Sequence, residues 1–161
     1  NGKSTLIEAL RHVLGDYAMA APASTFCDRH PGQPTNDLAR LADARAVFVS
    51  ESSSTARLYV ATVKALCGGD QIAARYLYAE YIEFVPAFTP WLATNHRPIV
   101  DDTDLAIWRR IRLVPFAITI PEECRDRDLG AKLRAEAPGI LAWAARGCAG
   151  SRRSAPRPED A

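Results

Sequence analysis

Apolar positions along the chain switch between two periods. From Thr5 to Leu14 they fall at Leu6, Leu10, Val13 and Leu14, the spacing of one helix face, and Gly15 stands where a helix would stop. Residues 16–35 hold three prolines and little periodicity, which predicts a loop. Thr35 or Asn36 can cap a short helix over Asp37–Leu41. The run Ala46-Val47-Phe48-Val49 is continuously apolar with β-branched and aromatic members, the mark of a strand buried on both faces, and it ends in Ser50-Glu51. Helical spacing resumes over Thr55–Leu66 and is broken by Gly68-Gly69-Asp70. Ile72–Tyr78 and Tyr81–Val85 alternate as two arms of a hairpin. Phe88–Thr94 reads as a further strand, interrupted by Pro90 and ending at Asn95-His96. Asp104–Arg109 predicts a helical turn, and Ile111–Ile118 a third apolar strand in which Pro115 marks an edge or a bulge. Asp128–Ala137 and Gly139–Cys148 predict two closing helices separated by Pro138. Strands alternating with helices argue an α/β fold, a sheet with helices on its faces. There are no internal repeats.

Length adds a domain count. At 161 residues the chain is one domain with room for a core, expected over 1–148, followed by a polar, Pro-rich tail over 149–161 that should be disordered. A net charge of +1 gives no global case for nucleic acid, but the charge is uneven. Residues 1–96 carry 8 basic and 9 acidic side chains, and 97–161 carry 12 and 10, with arginines at 109, 110 and 112. Basic character is therefore local, as in a groove. Cys27, Cys67, Cys124 and Cys148 are widely spaced, with no C-x-x-C pair and no zinc pattern, which predicts reduced thiols and a cytoplasmic setting. No apolar run is long enough to span a bilayer, so no membrane partner is expected.

The candidate chemistry begins at the first residues. Asn1-Gly2-Lys3-Ser4-Thr5 reads as the back half of a phosphate-binding loop, G-x-x-x-x-G-K-[ST], with a helix after it as that motif requires. Gly2 would let backbone N–H groups approach an anion at the helix N-terminus, and Lys3 would place a positive charge on the β and γ phosphates. The Ser4 hydroxyl would complete Mg²⁺ coordination. Glu51, leaving the apolar strand, stands where an acid would orient or deprotonate the attacking water and steady the metal's water shell. Most such strands end in two acids; here the first is Ser50. Asn95, at the tip of another strand, could hold the γ-phosphate and that water. Arg109 and Arg110 offer guanidinium forks for charge developing on phosphoryl oxygens, a contribution of ~10³–10⁵ in rate where an arginine finger acts.

Each feature has a plain alternative. A strand-end Glu is by default a solvated loop residue, an Asn before Arg97-Pro98 a turn former, and paired arginines an ion-paired or solvated face. Their joint occurrence in this order is what favours nucleotide hydrolysis.

The stretches L-C-G-G-D-Q-I-A-A-R-Y-L-Y (66–78), W-L-A-T-N-H-R-P-I-V (91–100), D-L-A-I-W-R-R-I-R-L-V-P-F (104–116) and E-A-P-G-I-L-A-W-A-A-R-G (136–147) closely resemble the C-terminal helicase domain of phage and plasmid primase–helicases, a group of superfamily III helicases. The resemblance runs from Asn1 to about Gly147. It implies a P-loop NTPase with an AAA+-like core, a homohexameric ring around single-stranded or forked DNA, ATP with Mg²⁺ bound between subunits, and hydrolysis coupled to strand separation. Gly2, Lys3, Ser4 and Thr5 match its Walker A motif, Glu51 its Walker B acid, a position where this subgroup tends to show a single Glu, and Asn95 its sensor. One of Arg109 and Arg110 matches the finger that reaches a neighbouring subunit. Lys64–Val85 matches the segment forming the DNA-contacting hairpin, with Lys64, Arg75, Tyr76 and Tyr78 as strand contacts; packing of both tyrosines into the sheet is an equally weighted alternative. Thr89 departs from the Lys that the family often carries there. The first glycine of the loop and its preceding strand are expected upstream of Asn1, with a helical region and often a primase domain beyond.

Two other readings compete. One is a catalytically inactive prophage-derived fragment with residual DNA binding or oligomerisation; the other is a P-loop kinase acting on small molecules.

Overall fold

The computed structural model describes residues 2–27, 34–50, 56–101 and 105–154, with 151–154 described for their backbone alone. In chain order the elements are α1 (Lys3–Leu14), β1 (Ala18–Ala21), α2 (Asn36–Ala39), β2 (Ala46–Ser50), α3 (Val60–Gly68), β3 (Ile72–Arg75), β4 (Tyr81–Phe84), β5 (Thr89–Ala93), α4 (Leu105–Trp108), α5 (Leu129–Ala135) and α6 (Ala137–Ser154). Two compact units result: Asn1–Gly15 with Ile118–Ala161, and Asp16–Ala117.

In the second unit, β1, β2 and β5 form a parallel sheet in the order β1-β2-β5. β2 is central because its sequence suits burial on both faces: Ala46, Val47, Phe48 and Val49 are all buried, and Ser50 emerges at the end. Burying a Val or Phe side chain of this kind stabilises by roughly 1.5–3 kcal/mol. Phe48 and Trp91 are register partners on adjacent strands, and their rings stack with centroids 6.0 Å apart at 26°. Leu38, Leu41, Val63, Leu66 and Ile107 close the core from α2, α3, α4 and the turn after α2. β3 and β4 pair antiparallel from Ile72↔Phe84 to Arg75↔Tyr81, over shorter stretches than the arms expected at Ile72–Tyr78 and Tyr81–Val85.

In the first unit, α1 packs against α5 and α6. Gly2 precedes α1 at φ 79°, a left-handed conformation that favours glycine although open space surrounds the position. Arg11 and His12 lie in the last turn, where positive charge suits the helix dipole, and the Gly15 N–H bonds the Arg11 carbonyl to end the helix. Pro138 falls in the first turn of α6, where a missing N–H costs nothing. α6 runs to Ser154, past the Cys148 at which periodicity ends it.

Three expectations are corrected. Residues 16–35 are not all loop: Ala18–Ala21 is β1, held by its ladder to β2 and not by propensity, since Ala-Met-Ala-Ala has no β-branched member. The helix expected from Thr55 starts at Val60. Before it, Arg57 and Leu58 are claimed by isolated bridges to Ile99 and Cys27, with Leu58 N–H donating to the Ile99 carbonyl at 2.8 Å. Ile111–Ile118 joins no ladder despite its strand-like composition. Among the described residues, no strand occupies the outer edge of β5 either.

Candidate functional site

The first turn of α1 holds the backbone N–H groups of Lys3, Ser4 and Thr5, the first donors of the helix. Gly2 and Lys3 are half-buried, Ser4 is exposed and Thr5 half-buried. No acidic side chain lies in this first turn to compete with an anion, and Leu6 N–H closes the first helical bond on the Gly2 carbonyl at 2.9 Å. A left-handed glycine followed directly by a helix start is a backbone shape that receives anions.

The other candidates lie in the second unit. Parallel strands deliver their C-terminal ends to one edge of a sheet, and ligands of open α/β sheets gather there. Ser50 ends β2 opposite Ala93, which ends β5. Glu51, next after Ser50, lies outside the described residues. Asn95 follows two residues after Ala93 and is exposed. Its turn is fixed by Thr94, whose hydroxyl donates to the His96 carbonyl at 2.5 Å and accepts from the His96 N–H at 3.2 Å. Sequence reasoning did not single out Thr94 as the residue that shapes this turn; the signal was a hydroxyl two residues before His96, where such side chains form local turns.

Arg109 and Arg110 part company. Arg109 is exposed at the end of α4. Arg110 is half-buried and folds back on its own helix: Nη1 donates to the Ala106 carbonyl at 2.7 Å, and the buried Nε finds no hydrogen-bond partner. A side chain at Gly68 would come within 3.6 Å of Arg110 Nη2, so the guanidinium lies beside the end of α3. Its charge is felt at Cys67, whose thiol is pushed up by burial of the sulfur, even though the residue as a whole is exposed, and is pulled partly back by Arg110.

Hairpin residues also separate. The Tyr76 hydroxyl donates to the Ala39 carbonyl at 3.1 Å, and the Arg75 N–H donates to Thr35 Oγ1 at 3.0 Å, so the end of β3 is tied to α2 and its cap. The Arg75 guanidinium lies 5.2 Å from the Tyr81 ring centroid. Tyr78 is fully exposed at the tip, and Lys64 is half-buried on α3. Thr35, the cap residue, was thus missed as an anchor.

A largely apolar groove of about 650 Å³ is lined by Val63, Trp91, Trp108, Ile111 and Leu113, among others. β5 and the start of the 111–118 stretch both line it. Among the described residues there is no cluster of three or more His, Cys, Asp or Glu able to hold a metal by itself, and no helix long and apolar enough to cross a membrane.

No protein-family model matches the chain. It is similar to viral proteins named as helicases and primases. "Putative helicase L207/L206" of Acanthamoeba polyphaga mimivirus is 33% identical over 118 residues, which is 72% of this chain and 12% of that protein. "Putative helicase 022R" of Frog virus 3 is 31% identical over 162 residues, 89% of this chain and 16% of that protein. "Putative primase C962R" of African swine fever virus is 30% identical over 115 residues, 70% of this chain and 12% of that protein. The chain therefore spans between 12% and 16% of the length of these curated relatives. These homologues support a viral helicase–primase kinship, and the mixed α/β fold with a three-stranded parallel sheet is compatible with a P-loop NTPase.

Proposed function

We propose that the chain is part of the ATP-hydrolysing domain of a replicative helicase–primase, which uses ATP to separate DNA strands. The observation that carries this reading is the parallel rung Ser50↔Ala93, at which β2 and β5 end together, with the Thr94-shaped turn that holds Asn95 following β5. The left-handed Gly2 ahead of α1 and the helicase names of the relatives support it.

In this reading the N–H groups of Lys3–Thr5 hold the phosphates of ATP and Lys3 neutralises the β and γ groups. Ser4 and Glu51 would hold Mg²⁺ directly or through water. Such an ion takes only one or two protein oxygens, the rest coming from phosphates and water. When bound, the ion offsets charge on the phosphate oxygens. Glu51 orients the attacking water and takes its proton, and Asn95 donates to the γ-phosphate. Arg109 and Arg110 form the finger pair, one of them reaching a nucleotide on the next subunit of a homohexameric ring. The hairpin, with Lys64, Arg75, Tyr76 and Tyr78, lies along the strand being moved.

The test is strand separation on a forked duplex by the complete protein. Unwinding that requires hydrolysable ATP is expected; DNA binding without any nucleotide requirement would favour the inactive fragment instead.

A further inference from the structure

Both ends of α2 bond to the β3–β4 hairpin. Thr35 stands at the N-cap, where a threonine hydroxyl ordinarily accepts from an N–H of its own helix, yet it makes no such bond. Its Oγ1 accepts instead from the N–H of Arg75, the last residue of β3, at 3.0 Å. At the other end of α2, the Ala39 carbonyl receives only a long 3.4 Å bond from the Ala42 N–H of its own segment. The Tyr76 hydroxyl donates to the same carbonyl at 3.1 Å.

These two bonds fall where the hairpin needs holding. The ladder stops at Arg75↔Tyr81, so residues 76–80 lie beyond its last rung, closed by the Ala79 N–H on the Tyr76 carbonyl at 3.2 Å. The chain enters the hairpin from α3 through Gly69, left-handed at φ 82° with open space around it, a link that constrains little. Ala74 seats β3 on the core, but one methyl group does not fix the direction of the tip. The grip on the end of β3 does, and it is rigid. Ala39, Leu41 and Ala44 are buried, and the Leu41 and Ala44 N–H groups bond the Leu38 and Leu41 carbonyls. The segment then runs directly into β2 at Ala46.

We propose that Tyr76 and Thr35 are positioning residues, which latch the end of β3 onto α2 so that the hairpin keeps one aim relative to β2 while ATP is hydrolysed. The proposal rests on the helicase reading above and deepens it. Tyr76 then acts through its hydroxyl on Ala39, and its ring takes no part in holding the strand. A site held by residues locked in this way loses precision when the lock is removed, before it loses its fold.

The test counts base pairs of a forked duplex separated per ATP hydrolysed by the complete protein, as wild type, Tyr76→Phe and Thr35→Val. Tyr76→Phe keeps the ring and removes only the hydroxyl. Each variant should hydrolyse ATP at the wild-type rate and bind single-stranded DNA with wild-type affinity. The yield per ATP should fall roughly 2- to 12-fold in each, the range for one hydrogen bond. A wild-type yield in Tyr76→Phe, which a ring stacked on a base would give, overturns the latch and leaves the helicase reading standing. Hydrolysis lost in step with strand separation also overturns the latch, since the fault is then general to the fold. Wild type that separates no strands overturns the helicase reading, and the coupling proposed here with it.

Discussion

Ser50 and Ala93 face one another on the last rung of the parallel ladder between β2 and β5. This pairing ends both strands at one edge of the sheet, and β5 leads from it into the turn that presents Asn95. Register is what fixes it, because a one-residue slip would turn the Phe48 and Trp91 side chains to opposite faces and break their stack.

Replacing Asn95 by Ala should slow ATP hydrolysis by about 10²–10³-fold, the usual loss when one positioned donor to a reacting oxygen is removed. Nucleotide binding should persist, so kcat falls more than the affinity. Thr94→Val should give a smaller loss of the same kind, since it removes the hydroxyl bonds that shape the turn, each worth about 0.5–1.5 kcal/mol. Steady-state kinetics on the two variants would separate a direct phosphate contact by Asn95 from a positioning role of Thr94.

Arg109→Ala should leave the melting temperature unchanged, because the side chain is exposed. Arg110→Ala should lower it, at a cost of about 1–3 kcal/mol, since this guanidinium packs against α4 and the end of α3. Thermal unfolding of both variants checks this. A fall in hydrolysis of ~10³–10⁵ in the fold-neutral Arg109 variant would then mark that residue as the finger.

Phe48→Ala should destabilise by about 3–5 kcal/mol, a value typical of an aromatic side chain removed from a packed core. Chemical denaturation at equilibrium measures it. Replacing exposed Leu113 by Ala should change stability by no more than about 0.5 kcal/mol.

Cys67 should alkylate more slowly at neutral pH than exposed Cys124 or Cys148. Burial raises its thiol pKa, so less thiolate is present at a given pH, and its rate should climb only at higher pH. Arg110→Met removes the charge that holds the thiolate down in energy and should raise the pKa further. A pH profile of alkylation, read peptide by peptide, tests both statements.

Much of the fold was legible where a segment's own composition decides its state. β2 could be read directly, because only a strand buried on both faces sustains Ala-Val-Phe-Val, and α1 because its apolar stripe ends at a glycine. β1 was not legible: Ala18–Ala21 becomes a strand through its neighbour's ladder, a tertiary effect that local pattern does not carry. The opposite error arose at Ile111–Ile118, whose propensity favours a strand but which has no ladder to join among the described residues. At the site, Gly2, Asn95 and the arginine pair stood out by residue type and order. The divergence of Arg109 from Arg110 and the anchoring of Tyr76 on Ala39 depend on side-chain direction, which spacing alone does not fix.

The most direct measurement is ATP hydrolysis stimulated by single-stranded DNA, comparing the complete protein with its Lys3→Ala variant. Hydrolysis that rises with DNA in the wild type and is abolished in Lys3→Ala, with the fold intact by circular dichroism, is the predicted result. Equal hydrolysis by the two proteins would contradict the account, because Lys3 would then carry none of the phosphate charge assigned to it.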